Sequence, residues 1–231
     1  DPVTFADLKV NEMIINGICA NITEYLQENK EVILVTSGAI SQGMNVMNVK
    51  SKPKDIKKLQ SLAAVGQQKL MSMYEKMFYE YDFQTAQVLI THNDINDRVR
   101  YLNIKGTLEE LLNNGVIPII NENDVVSTEE IKFGDNDNLA SMIANLVDAD
   151  LLIILTDQKG MYDKNPDSYK DAKLINRIKI EDLKEFDSDF STQSEIGTGG
   201  FITKIQAAKR AALSNTYTVI CLLYTSPSPR D

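Results

Sequence analysis

The 231-residue sequence has no tryptophan, a single histidine, His92, and only two cysteines, Cys19 and Cys221. Two cysteines support neither a disulfide framework nor a zinc site. A lone histidine leaves few candidates for a general base, so the chain either performs a reaction that needs no such base or performs none. We expect His92 to be structural or to lie in a loop, and we assign it no catalytic role.

Long hydrophobic runs and clusters of basic residues are also missing. The longest apolar runs, such as residues 151–155, are far shorter than the roughly 20 residues of a membrane-spanning helix, and no charged-then-apolar leader opens the sequence. These features predict a cytoplasmic protein without a membrane partner. The formal net charge of −9 argues against a nucleic-acid partner, because phosphate backbones are bound by clusters of Lys and Arg.

Five short apolar segments alternate with helical patterns along the chain. Because they are brief and almost wholly apolar, they predict buried strands. The segments are residues 31–36, 86–91, 116–120, 151–155 and 217–220. Alternating strands and helices predict an α/β fold, a three-layer αβα sandwich with a mostly parallel central sheet. Pro118 lies inside the third segment, where its missing N–H group predicts a strand end or a bulge.

The two ends of the sequence are unusual. The chain opens without methionine, and it closes with CLLYTSPSPRD, residues 221–231, which has no strand or helix period. The closing segment resembles a translated sequencing adapter, and a disordered Ser-Pro tail is the alternative. We therefore expect one domain over residues 1–220, truncated at both ends, followed by a non-native tail over residues 221–231.

Polar residues follow three of the predicted strands. Ser37 and Gly38 follow the first strand, Asp124 follows the third, and Thr156 and Asp157 follow the fourth. Because the carboxyl ends of parallel strands meet at one edge of a sheet, where such folds bind ligands, these residues predict a binding site. Ordinary solvated loops are the alternative explanation for any one of them.

Two glycine-containing turns lead into helical patterns. The turn TSGAISQG, residues 36–43, either presents backbone N–H groups to an anion or is an ordinary helix cap. The turn GTGGFITK, residues 197–204, lets the backbone approach phosphate oxygens and adds the charge of Lys204. A glycine hinge before a helix is the alternative for the second turn.

The acidic segment GDNDN, residues 134–138, precedes another helical pattern. A single aspartate is enough to cap a helix. The combination of Asp135, Asn136 and Asp137 instead favours a cluster for a cationic group, either a ligand ammonium, a lysine or magnesium. A calcium loop fits poorly, because the alternating ligands and the terminal glutamate of that motif are missing.

Six motifs occur together and in order. They are TSGAISQGM, LAAVGQQKLM, THNDINDRVRYLN, GVIPIINENDVVSTEEIKFGDNDNLAS, DADLLIILTDQKGMYDKNP and GTGGFITKIQAA. Over nearly all of residues 7–220 this set resembles the gamma-glutamyl kinases (glutamate 5-kinases) of the amino acid kinase family. The resemblance implies that L-glutamate is phosphorylated on its side-chain carboxylate by ATP with Mg²⁺, as the first step of proline biosynthesis. It also implies a homo-oligomer and feedback inhibition by proline.

The resemblance assigns roles to individual residues. Glutamate would be bound by Ser37, Gly38, Asp124 and Asn136. The residues that would bind ATP are Thr156, Asp157, Thr198, Gly199, Gly200, Phe201, Ile202, Thr203 and Lys204. Catalysis would depend on Lys204, which meets the charge of the transferring phosphoryl group, and on Asp135 and Asp137, which orient lysines or the substrate ammonium. No residue is expected to be a dedicated metal ligand.

The sequence departs from the family pattern at its start. The family opens with a strand that ends in a lysine and a Gly-Ser turn, and nothing before Asp1 supplies them. We therefore expect the chain as printed to be impaired and its parent protein to be active. Two alternatives stay open: another carboxylate kinase of this fold, acting on acetylglutamate or aspartate, and a non-catalytic module that senses an amino acid.

Overall fold

The computed structural model describes residues 8–127, 136–156, 159–163, 169–179, 181–182 and 199–222, with the backbone alone for 8–13 and 199–202. The helices within them are α1 (Leu8–Gln27), α2 (Ala39–Val46), α3 (Ile56–Tyr79), α4 (His92–Asn96), α5 (Arg98–Asn113), α6 (Asn136–Leu146) and α7 (Gly199–Ala212). The strands are β1 (Leu34–Val35), β2 (Gln84–Ile90), β3 (Val116–Glu122), β4 (Leu151–Thr156) and β5 (Tyr217–Leu222). The chain divides into two compact units, Asp1–Asn136 and Asp137–Asp231.

The first unit contains a three-stranded parallel sheet in the order β1-β3-β2. Strand β2 pairs with β3 along its whole length, from Gln84 opposite Val116 to Ile90 opposite Glu122. Every residue of β3 after Val116 is buried, as expected for a central parallel strand with both faces covered. Each of the first three predicted strand segments overlaps one of these strands, although β1 is only two residues long.

Pro118 lies in the interior of the central strand, so the prediction of a strand end or a bulge is wrong. It pairs with Ala86 of β2, and its side chain is almost completely buried. On the opposite side, β1 pairs with β3 only from Ile119 onward. Because that ladder begins one residue after the proline, the missing N–H group removes little pairing from the sheet.

Helices α1 and α3 pack with this sheet to form an apolar core. Asp55 begins α3 by accepting a 3.0 Å hydrogen bond from the backbone N–H of Lys58, which satisfies one free donor of the first turn. The buried residues of this core come from both helices and from β3: Ile15, Cys19, Leu70, Met73, Tyr74, Phe78, Ile117 and Ile119. Their burial anchors α3 against the sheet.

Helices α2 and α3 cross at a distance that only glycine allows. A Cβ atom on Gly43 would lie 1.9 Å from the carbonyl oxygen of Leu62, and one on Gly66 would lie 1.7 Å from that of Ala39. Side-chain atoms do not approach backbone oxygens so closely, so both positions require a missing side chain. The crossing holds the first turn of α2, and therefore the turn that precedes it, against α3.

The second unit contains a parallel pair of strands, β4 and β5, packed against α6 and α7. The pairing runs from Leu151 opposite Tyr217 to Thr156 opposite Leu222. Strand β5 thus continues through Cys221 and Leu222, two residues into the segment expected to be foreign. Residues 223–231 lie outside the described part of the chain.

Strand β4 alternates between buried and exposed residues. Leu152 and Ile154 are buried in a cluster with Ala144 of α6 and with Ala207 and Ala211 of α7. The side chains on the other face, Leu151, Ile153 and Leu155, are 40–46% exposed. The prediction that residues 151–155 form a buried strand is therefore wrong for one face, because the described helices of this unit cover the other face of the sheet.

The predicted α/β class is confirmed, because parallel strands and helices alternate in both units. The helical pattern that follows GDNDN is also confirmed. All four apolar residues that define it in α6, Leu139, Met142, Ile143 and Leu146, are buried. Within the described residues, none of the helices combines the length and the hydrophobicity that crossing a bilayer requires.

Candidate active site

The turn from β1 to α2 carries Ser37 and Gly38, the first two residues predicted to bind a ligand. Gly38 precedes α2 with φ at 102°, in the left-handed region that favours glycine. Among the described residues no side chain caps the start of α2, so its first N–H groups can donate to another acceptor. Ser37 is exposed beside them. The turn can therefore present a hydroxyl and backbone donors to a carboxylate.

Asn136, the last residue of the first unit and the first of α6, is fastened to the same turn. Its side-chain nitrogen Nδ2 donates a 3.0 Å hydrogen bond to the carbonyl oxygen of Thr36. Thr36 directly precedes Ser37, so the structure brings Asn136 close to Ser37 although 99 residues of chain lie between positions 36 and 136. These two predicted glutamate-binding residues therefore share one anchor.

Asp124 lies two residues after the end of β3, where it is half-buried. The strand end before it is held by a buried amide network. Nδ2 of Asn121 donates to Oε1 of Gln67 at 2.8 Å, while Oδ1 of Asn121 accepts the backbone N–H of Glu122 at 2.9 Å. Asn121 is only 2% exposed. The network holds the strand end from which Asp124 projects.

Tyr74 supports the neighbouring strand end. Its hydroxyl lies 2.8 Å from Oγ1 of Thr36, one hydroxyl donating to the other. Burial raises the pKa of Tyr74 to about 12, although the hydrogen bond with Thr36 acts in the opposite direction. The phenol therefore stays protonated at neutral pH. Gln67 and Tyr74 were both missed in the sequence analysis. They are polar residues seven positions apart on the apolar face of α3, and this spacing was the signal that could have identified them.

The second unit brings Lys204, Asp137 and Thr203 together. The Nζ atom of Lys204 lies 2.9 Å from Oδ2 of Asp137, and the hydroxyl of Thr203 donates to the same oxygen at 3.0 Å. The lysine and aspartate side chains are 17% and 22% exposed. Because water reaches these charges only partly, their attraction is screened less than that of a surface pair. The arrangement holds an ammonium group in a defined position.

The remaining predicted nucleotide-binding residues are only partly described. Thr156 ends β4 and is buried. Gly199 and Gly200 begin α7, and the backbone of Phe201 and Ile202 continues it. Asp135, Asp157 and Thr198 lie outside the described residues.

His92 begins helix α4, next to the end of β2. Its Nδ1 atom lies 3.5 Å from Oε2 of Glu122, a carboxylate that is only 6% exposed. The contact joins α4 to the end of β3. This position suits a structural role for His92. Among the residues that the structure describes, no group of three or more His, Cys, Asp or Glu side chains is placed to hold a metal ion.

Comparison with known proteins identifies the class. The profile described as "Amino acid kinase family" matches residues 5–222, so the chain belongs to the amino acid kinase family. Among curated relatives, the chain is 52% identical over 207 residues to the glutamate 5-kinase of Thermoanaerobacter sp. (strain X514), covering 90% of this chain and 56% of that protein. It is 48% identical over 201 residues to the glutamate 5-kinase of Marinomonas sp. (strain MWYL1), covering 87% and 54%. The chain thus spans about half the length of these relatives.

Solved structures show the same fold at low sequence identity. A carbamate kinase from Giardia lamblia bound to AMP-PNP matches with a TM-score of 0.65 and 19% identity, over 95% of this chain and 86% of that one. An aspartate kinase from Synechocystis matches with a TM-score of 0.60 and 16% identity, over 92% of this chain and 36% of that one. These likenesses confirm the predicted amino acid kinase fold.

Proposed function

We propose that the protein containing this chain transfers the γ-phosphoryl group of ATP to the side-chain carboxylate of L-glutamate, forming γ-glutamyl phosphate and ADP. This reaction would be the first step of proline biosynthesis. The observation that carries the proposal is the Lys204–Asp137 pair, which holds an ammonium group one turn after the glycines that begin α7. The identity of about half with curated glutamate 5-kinases supports glutamate as the acceptor.

The proposed acceptor suits a chain with a single histidine. A glutamate side chain has an ordinary pKa of about 4.3, so its carboxylate is already ionised at neutral pH. One carboxylate oxygen forms a bond to the γ-phosphorus, and the bond from that phosphorus to the bridging oxygen breaks, with its electron pair leaving on ADP. No proton has to be removed from the nucleophile, so no general base is required.

Lys204 would stabilise the negative charge that spreads over the phosphoryl oxygens during transfer. Such a fixed donor contributes roughly 10²–10³ in rate when it is aimed at developing charge. Asp137 would hold the ammonium group in place, because its Oδ2 atom accepts a hydrogen bond from Lys204. Thr203 would in turn hold Asp137, because its hydroxyl donates to the same oxygen. Asp135 would orient a second cationic group, as the family resemblance implies.

Glutamate would lie at the rim of the first unit. The open N–H groups at the Ser37–Gly38 turn suit a substrate carboxylate, whereas the carboxylate of Asp124 suits the substrate ammonium. Asn136 would contribute its remaining amide oxygen, because its Nδ2 atom already donates to Thr36. The nucleotide would be bound by Thr156, Asp157 and residues 198–204.

Mg²⁺ would accompany the nucleotide. This ion prefers oxygen ligands and is commonly bound through one or two carboxylates, phosphate oxygens and water. When bound, it would neutralise phosphate charge. We further propose a cytoplasmic homo-oligomer that proline inhibits, as in the expectation from the sequence.

The test uses the full-length protein encoded by the natural open reading frame that contains this chain. The acyl phosphate that it forms is trapped with hydroxylamine. Glutamate, acetylglutamate and aspartate are compared as acceptors, each with and without ATP. Of the three acceptors, we expect only glutamate to give hydroxamate, and only when ATP is present. A site built around a free ammonium should reject the acetylated substrate. Product with acetylglutamate or aspartate instead would reassign the substrate. Glutamate binding without any product would favour the non-catalytic sensing module.

A further inference from the structure

Two buried hydroxyl groups meet beneath the Ser37–Gly38 turn. The hydroxyl of Tyr74 on α3 lies 2.8 Å from Oγ1 of Thr36, and these residues are only 4% and 6% exposed. A buried hydroxyl without a partner destabilises a fold, so the contact stabilises both groups. The contact joins the C-terminal part of core helix α3 to the residue directly before Ser37.

Thr36 makes polar contacts in three directions. Its backbone N–H donates to the carbonyl oxygen of Ile120 at 2.8 Å, and its own carbonyl oxygen accepts from Nδ2 of Asn136 at 3.0 Å. The third contact, through the side chain, is the one with Tyr74. Thr36 therefore connects the sheet, helix α3 and the start of helix α6.

We propose that Tyr74 is a positioning residue for acceptor binding: its hydroxyl fixes Thr36, and through Thr36 it sets the positions of Ser37 and Asn136. The inference rests on the proposed function for the identity of the acceptor, L-glutamate. Tyr74 does not itself touch the ligand. Its ring is packed in the core with Cys19, Phe78 and other apolar side chains. This packing fixes the position of the hydroxyl relative to the turn.

A second contact of the Thr36 side chain explains why the tyrosine hydroxyl matters for Ser37. Oγ1 of Thr36 also lies 3.4 Å from the carbonyl oxygen of Ser37, a long hydrogen bond. If the tyrosine hydroxyl is removed, the carbonyl oxygen of Ser37 is the partner that remains for Oγ1 of Thr36 among the described residues. The threonine side chain would then turn toward Ser37 and shift the turn that presents it. The change should appear in glutamate binding before it appears in catalysis.

The experiment uses the full-length protein and measures kcat and the KM values for glutamate and ATP. The Tyr74→Phe variant keeps the ring and removes only the hydroxyl. We expect the KM for glutamate to rise about 5-fold, the effect of one net hydrogen bond, with the KM for ATP unchanged. Thr36→Ser keeps the hydroxyl and should retain the glutamate KM within about 2-fold, whereas Thr36→Val should resemble Tyr74→Phe.

Two further variants separate positioning from general destabilisation. Because Tyr74 and Thr36 act through one contact, the double variant Tyr74→Phe/Thr36→Val should raise the glutamate KM no more than Thr36→Val alone. Tyr79→Phe is the matched control, since Tyr79 lies on the same helix and is 69% exposed. It should leave every constant unchanged.

The inference is overturned if Tyr74→Phe lowers the Tm but leaves the glutamate KM unchanged, or if it raises the KM for ATP equally. Failure of the proposed function gives a different result, because the unsubstituted protein would then form no γ-glutamyl phosphate. In that case the same variants are compared by their calorimetric affinity for glutamate. If the unsubstituted protein does not bind glutamate either, the inference is wrong together with the proposed function.

Discussion

The ammonium nitrogen of Lys204 lies 2.9 Å from Oδ2 of Asp137, and the hydroxyl of Thr203 donates to that same carboxylate oxygen at 3.0 Å. Asp137 comes from the first turn of α6, and the other two residues come from α7. One oxygen thus holds two neighbouring side chains of the facing helix. The arrangement restricts a lysine side chain that would otherwise sample many rotamers.

Replacing Lys204 by alanine should lower kcat by about 100-fold or more, because a fixed positive charge near the transferring phosphoryl group is lost. Glutamate affinity should change little, since Lys204 is proposed to contact the phosphoryl group. The measurements are hydroxamate formation for kcat and calorimetry for glutamate binding. Arg210→Ala removes an exposed cation from the same helix and should have no effect. Retention of turnover by Lys204→Ala would refute the role assigned to this lysine.

Alanine should be tolerated at one helical glycine and not at another. At Gly66 a Cβ atom would lie 1.7 Å from the carbonyl oxygen of Ala39, so Gly66→Ala should lower the free energy of unfolding by about 3 kcal/mol or more. At Gly106, in the interior of α5, a Cβ atom would meet no atom within 4 Å. Gly106→Ala should therefore stabilise the chain by about 1 kcal/mol. Urea unfolding of both variants measures the difference, and equal effects would contradict the close crossing of α2 and α3.

The two cysteine thiols should differ in accessibility. Cys19 is fully buried, and burial raises its pKa to about 12. Because the thiolate is the reactive form, Cys19 should not react with a disulfide reagent at about pH 8 until the chain unfolds. Cys221 is only partly buried, and burial raises its pKa as well, so it should react slowly in the native state. Rapid reaction of two thiols in the folded chain would contradict this arrangement.

Asp94 should make stability fall in acid. Its carboxylate accepts hydrogen bonds from the backbone and hydroxyl of Thr91 and from Arg100. Burial acts to raise the pKa of Asp94, but these contacts outweigh it and the pKa lies below the ordinary value of 3.8. A lowered pKa means that the stabilisation is complete above the ordinary value and is lost as the pH falls through the folded value.

The variant Asp94→Asn isolates this contribution. At neutral pH it should have a free energy of unfolding about 1 kcal/mol lower than that of the unsubstituted chain, since the capping box of α4 is weakened. The difference should shrink as the pH falls below about 4, because the aspartate becomes protonated. Urea unfolding at neutral and acidic pH measures it. If the difference in the free energy of unfolding instead grew in acid, the pH dependence would be the reverse of the one expected, and the assigned cause would be excluded.

The local periodicity of apolar residues was sufficient to predict the helices and strands named in the sequence analysis and the class of fold. The apolar spacing of residues 139–146 predicts α6, and the short apolar segments each overlap a strand. These predictions succeed because burial on one face of a helix or strand recurs within a few residues. The ordered motifs were likewise sufficient for the family, whose profile matches residues 5–222. The roles of Ser37, Asp124 and Lys204 stay predictions.

Tertiary structure decided what lies on each side of an element and which polar groups pair. The apolar composition of β4 predicts burial on both faces, but only its Leu152 face is covered by helices among the described residues. Tyr74 and Thr36 are 38 positions apart, and Gln67 and Asn121 are 54 apart. No local period links such residues, because a buried hydrogen bond depends on where two distant elements meet. The sequence by itself determined the elements and the family, and packing decided how the candidate site is held.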